Sequence, residues 1–127
     1  MFLVYILQSG NRSYIGMTND FFKRWKQHNG ILKGGAKYTT NNNQGPWSPI
    51  CIIDGFKDKK EAMQCEWKLK RKKGYYNRLK NLSYLLQTSK QWTSKSPNIK
   101  DQNLTIYIVN NYKHLLSSIQ TKELVWF

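Results

Sequence analysis

The sequence predicts a mixed α/β (α+β) fold of about three strands and several helices in one compact domain. Short apolar, β-branched runs alternate with amphipathic helical stretches over residues 1–87. Turn and cap residues mark each change of pattern. A length of 127 residues holds one ordinary domain and is short for two.

Residues 2–8 (FLVYILQ) and 13–17 (SYIGM) are two β-rich runs separated by Ser9, Gly10, Asn11 and Arg12, the pattern of an antiparallel hairpin. With Ser9-Gly10 as a two-residue loop, Tyr5 falls opposite Tyr14; a shift of two keeps both phenols on one face. Thr18, Asn19 and Asp20 offer N-caps for a helix over 20–29 that Gly30 ends. Residues 33–46 read as a basic loop rich in Gly and Asn. A third strand is expected at 50–54, a helix capped by Asp58 at 59–73, and another helix at 75–87. Residues 88–103 read as loop, and 104–118 begin like a strand and end like a helix. The closing Leu124, Val125, Trp126 and Phe127 are expected to pack. Residues 1–87 thus form the core, and 88–127 a C-terminal extension packed on the same domain.

Lys and Arg number 21 against 7 acidic residues, a formal net charge of +14. That excess, with 14% aromatics, points to nucleic acid, because cations on a protein release counterions from phosphates. The aromatic content argues against disorder. Cys51 and Cys65 form no CxxC pair, so a structural zinc site is not expected and buried free thiols fit best. The N-terminus lacks a basic segment and a cleavage site, and no run approaches a membrane span, so an intracellular protein off the membrane is expected.

The chemistry concentrates in five residues. Two phenols side by side could be core packing with hydroxyls at the edge. Arg24 and His28 stand four apart on one side of their helix, with Phe21 and Trp25 on the same arc. Glu66 falls between Ala62 and Met63 and interrupts an apolar face. A carboxylate there needs a partner, either Arg24 or a hard divalent cation. Together these groups suit phosphodiester hydrolysis: a phenol or imidazole for proton transfer, an arginine for phosphate charge, a metal at the leaving oxygen. Lys33, Gly34, Gly35 and Lys37 in the loop, and Lys68, Lys70, Arg71, Lys72, Lys73 and Arg78 around Gly74, are placed to hold a DNA backbone.

Val4-Tyr5-Ile6 with Tyr14-Ile15-Gly16 resembles the paired motif of GIY-YIG nucleases. Arg24-Trp25-Lys26-Gln27-His28 resembles their R-x-x-x-H helix, and Glu66 their metal-binding glutamate. Residues 27–39 (QHNGILKGGAKYT), 46–47 (PW) and 56–67 (FKDKKEAMQCEW) are similar to the catalytic subunit of the Slx-type structure-selective endonucleases. The resemblance implies a small central antiparallel sheet flanked by helices, dependence on Mg²⁺ or Mn²⁺, and cleavage of branched double-stranded DNA (flaps, forks, Holliday junctions) to a 5′ phosphate and a 3′ hydroxyl. It makes Tyr5 and Tyr14 the base and orienting groups, sets Arg24 on the scissile phosphate, gives His28 a part in proton transfer and Glu66 the metal. Asn77 and Asn81 stand where some members use an asparagine. The chain departs from the pattern with Leu3-Val4-Tyr5 in the first motif. Two cysteines leave no RING-like zinc domain, so no obligate scaffold partner is expected; a homodimer stays open. A nuclear or cytoplasmic protein, or a viral protein in its host cell, fits these features. A sequence-specific or homing-type enzyme and a catalytically silent DNA-binding module are the alternatives.

Overall fold

The computed structural model describes residues 1–125. Strand β1 (Phe2–Ser9) and strand β2 (Arg12–Thr18) form the expected hairpin, followed by helix α1 (Phe21–His28). A short helix α2 (Lys37–Asn41) precedes strand β3 (Ser48–Phe56), helix α3 (Lys59–Leu69) and helix α4 (Tyr75–Thr88). Strand β4 (Thr105–Ile108) and strand β5 (Lys122–Glu123) close the order. They extend the sheet to five strands, β2-β1-β3-β4-β5, where the sequence predicts about three. The sheet is antiparallel except for β4 and β5, which run parallel. Residues 104–118 hold both patterns: four residues pair with β3 as β4, and Asn110–Leu116 then turn into a 3₁₀ helix.

The hairpin register differs by two from the tight-loop expectation. Tyr5 faces Gly16, and Tyr14 faces Leu7. The turn is Gly10-Asn11, with Gly10 at φ +59°. Ser9 cannot lie at the tip because its hydroxyl is committed below it, donating to Gly45 O at 2.7 Å and accepting from Gln44 N at 2.6 Å. The even shift leaves both tyrosines on one face.

Caps act where the sequence places them. Asp20 accepts from Lys23 N at 3.2 Å and Asp58 from Glu61 N at 2.9 Å. Helix α3 stops at Leu69, short of the expected residue 73. Residues 70–73 are four exposed cations with no apolar member to pack, and packing supplies most of a helix's stability. Gly74, at φ +80°, becomes the N-cap of α4.

Alternation along the strands divides the core. Val4, Ile6, Ile15 and Ile53 face α3 and α4, packing on Ala62, Cys65, Leu69, Leu79 and Leu82. Tyr5, Leu7 and Ile52 face the other way, joined by Trp47 and flanked by Phe21 and Trp25 of α1. Met63, on the apolar face of α3 in the sequence, is about half exposed, as is Trp67. Both cysteines are buried and free. At the C-terminus Leu124 packs on the Tyr5 cluster and Val125 is exposed; Trp126 and Phe127 lie outside the described residues. Among the described residues no helix is long and apolar enough to cross a membrane.

Candidate active site

The site forms on the α1 face, at the β2 edge of the sheet. Tyr5 projects from β1 across the position opposite it on β2, which is Gly16. A Cβ at Gly16 would run into the Tyr5 hydroxyl, so the glycine is what lets the phenol lie over its neighbour. α1 then brings His28 onto the same oxygen, with Tyr5 Oη and His28 Nε2 2.7 Å apart in a buried contact. The rings make one aromatic assembly: His28 stands 5.7 Å from Tyr5 and 4.8 Å from Tyr14, and Phe21 meets Tyr5 edge-on at 5.3 Å.

Arg24, one turn before His28, is near enough to the Tyr5 phenol to act on it electrostatically. Its guanidinium is held by two acceptors, Gln27 Oε1 at 3.0 Å and Gly34 O at 2.8 Å. It is therefore positioned before any ligand arrives. Glu66, on α3, is near enough to act on Tyr5 electrostatically. Its side chain is 21% exposed and meets Lys70 Nζ at 3.7 Å. The sequence left open a salt bridge from Glu66 to Arg24; the ion pair seen is with Lys70.

Burial, then the neighbouring Tyr14, holds the Tyr5 phenol above its ordinary pKa; Arg24 opposes this and Glu66 adds to it. Burial, reinforced by Arg24, pushes His28 down to about 4. At neutral pH the pair is thus a neutral phenol against a neutral imidazole. A phenol in that state accepts a proton only as it passes its own to another group, and His28 is the group in contact with it.

The loop expected at 33–46 is more ordered than its composition indicates. It contains α2, and it is fastened at several points. Gln44 and Asn42 take hydrogen bonds from Asn11 N and Arg12 Nη1 on the hairpin. Gly35 packs directly on the Gln27 carbonyl, so one glycine of the Gly34-Gly35 pair serves loop closure against α1. Trp47 Nε1 donates to Thr39 O at 2.9 Å, and Trp25 Nε1 to Trp47 O at 2.8 Å.

A cleft of about 480 Å³ adjoins the site, lined by Tyr14, Ile15, Tyr38, Lys70, Lys73, Gly74 and Arg78. Arg78 is anchored there, donating to Ser13 Oγ at 2.9 Å and Lys72 O at 2.8 Å. Lys70 lies over the Tyr14 ring at 5.8 Å. Three of the predicted DNA-contacting cations therefore line one cleft with Tyr14. Lys33, Lys37 and Lys72 are exposed, Lys68 is partly buried, and Arg71 is stacked on Trp67 at 4.9 Å, outside the cleft lining. Asn77 is exposed and donates to Lys73 O at 3.2 Å. Residues that composition gave no reason to single out also touch the site. Gly16 makes room for Tyr5, Tyr38 stacks on Tyr14 at 6.1 Å, and Thr39 reaches His28. An aromatic amid the loop's lysines is the signal that marks Tyr38 in the sequence; Thr39 carries none.

Among the described residues no group of three or more His, Cys, Asp or Glu side chains is placed to hold a metal ion. A divalent cation at Glu66 would have one protein carboxylate, leaving its other positions to water and phosphate oxygens. Hard cations accept that ligand set. Glu66 fits this role: it is partly buried, within electrostatic reach of the phenol, and its contact with exposed Lys70 is longer than a charge-assisted hydrogen bond.

Residues 1–81 match the GIY-YIG catalytic domain family. Relatives include the structure-specific endonuclease subunit slx1 of Talaromyces stipitatus, 46% identical over 66 residues, covering 50% of this chain and 17% of the relative. The structure-specific endonuclease subunit SLX1 of Phaeosphaeria nodorum is 48% identical over 65 residues (50% and 18%), and that of Podospora anserina 40% over 72 (54% and 21%). The chain thus spans about a fifth of the length of these relatives.

Proposed function

The chain belongs to the GIY-YIG family, and from that premise we propose that it is a divalent-metal-dependent endonuclease hydrolysing phosphodiester bonds in branched DNA. The observation that carries this reading is the buried contact of Tyr5 Oη with His28 Nε2, with the fixed Arg24 guanidinium acting on the same phenol, beside a cleft walled by Lys70, Lys73 and Arg78. The names of the relatives support the branched substrate.

In this mechanism the lysines and Arg78 neutralise backbone phosphates and set the duplex in register. Arg24, already fixed by Gln27 and Gly34, takes up charge developing on the scissile phosphate without reorganising. Tyr5 receives a proton from the attacking water as its own passes to His28. Tyr14 holds the ring assembly and borders the cleft. Glu66 would hold Mg²⁺ or Mn²⁺, which when bound stabilises the leaving 3′ oxygen. The residues beyond α4 belong to the same unit in this reading: β4 pairs with β3, and Tyr112 Oη donates to Gln8 Oε1 at 2.9 Å.

The test is cleavage of labelled flaps, forks, four-way junctions and a plain duplex of matched sequence, in Mg²⁺ and in Mn²⁺. Glu66→Gln should lower cleavage by roughly 100-fold or more while DNA binding is retained. Unchanged cleavage in that variant sinks the metal assignment. Equal cutting of plain duplex and junction would replace branch selectivity with a sequence-specific activity.

A further inference from the structure

We propose that Thr39 is a positioning residue whose hydroxyl fixes His28 as the Nδ1–H tautomer and so presents a bare Nε2 to Tyr5. The mechanistic part of this proposal rests on the nuclease reading; the tautomer itself does not.

Thr39 is fully buried in α2, and its Oγ1 lies 2.9 Å from His28 Nδ1. The same oxygen is 3.0 Å from Ala36 O, which has no proton to give, so that contact uses the single hydroxyl proton of Thr39. What Thr39 turns toward His28 is then a lone pair, and Nδ1 must carry the hydrogen. With Nδ1 protonated, Nε2 is a bare acceptor and takes the phenolic proton of Tyr5 at 2.7 Å. The opposite tautomer would set a bare Nδ1 against a hydroxyl whose proton is spent on Ala36 O, and would strand the phenolic proton in a residue only 1% exposed. A doubly protonated ring is opposed by its burial and by the adjacent guanidinium.

Thr39 is itself held from its backbone, where its carbonyl accepts from Trp47 Nε1. The bond to Ala36 O keeps its hydroxyl in one orientation. The proton balance follows. As the water O–H breaks, Tyr5 Oη gains that hydrogen; the Tyr5 O–H breaks in turn and His28 Nε2–H forms. The hydroxide bonds phosphorus, and the P–O bond to the leaving 3′ oxygen breaks with its electron pair. This puts Tyr5 rather than Tyr14 on the proton path.

The chain has two histidines, His28 and exposed His114, so long-range ¹H–¹⁵N imidazole spectra are simple, and His114→Gln assigns them. The wild type should show His28 as one Nδ1–H species. Thr39→Val, equal in volume but without the hydroxyl, should give mixed tautomers and lower kcat roughly 10- to 100-fold, with KM for junction DNA within about two-fold. Thr39→Ser should restore both. An Nε2–H ring in the wild type, or a wild-type spectrum in Thr39→Val, overturns the proposal. If the wild type cuts no DNA, the nuclease reading fails and the spectra alone still decide the tautomer.

Discussion

On the α3 and α4 face of the sheet, Val4, Ile6, Ile53, Leu79 and Leu82 pack as an aliphatic core. On the α1 face the buried apolar cluster is Tyr5, Leu7, Trp47 and Ile52, interleaved with buried His28 and Thr39. Aliphatic packing is non-directional: it rewards volume and tolerates rearrangement. The aromatic face is directional, since its polar atoms meet named partners at 2.7–2.9 Å. One side of a single sheet thus supplies the aliphatic packing on which α3 and α4 rest, and the other holds the Tyr5–His28–Thr39 groups in position.

The largest effect is expected from breaking the aliphatic side. Leu82→Ala should cost about 2–5 kcal/mol of stability by leaving a cavity. Cleavage per folded molecule, measured well below the new Tm, should not change. If activity falls in step, the two faces are coupled and the division fails. On the other side, Gly16→Ala should displace the Tyr5 hydroxyl and reduce cleavage by roughly 100-fold, the cost of misplacing a reacting group by about 1 Å. Its Tm should move less than that of Leu82→Ala; full activity in Gly16→Ala would show that the Tyr5 position is not critical.

The smallest effect sharpens the comparison through pH. His28 is lowered from 6.5 to about 4, so between those values the unfolded chain binds a proton that the folded chain refuses. Its contribution is fully present above about pH 6.5 and is lost as pH falls toward 4, with a slope of at most about 1.4 kcal/mol per pH unit. Urea titrations across that range should show the slope flattened in His28→Gln and kept in Leu82→Ala. A slope unchanged in His28→Gln would remove His28 from the buried network.

Much of this was readable in the chain. The hairpin, α1 with its Asp20 cap, β3, and α3 with its Asp58 cap follow from periodicity and local capping, which are properties of neighbouring residues. Tyr5, Tyr14, Arg24 and His28 could be put on facing surfaces because face alternation survives a two-residue register error. Glu66 stands out in the sequence by interrupting an apolar face, and that face is in part exposed: Met63 is about half exposed in the fold.

By itself, then, the sequence determined the alternating order of strands and helices, the basic character of the surface and the residue types of the site, since each is set by local spacing and composition. Tertiary structure alone decided the turn at Gly10-Asn11, through the grip of Gly45 and Gln44 on Ser9. It alone made β4 a strand, through pairing with β3. It alone brought Thr39 to His28 and Gly16 beneath Tyr5. The reason is common to these cases: each depends on a partner far along the chain, and no local propensity encodes where that partner will be.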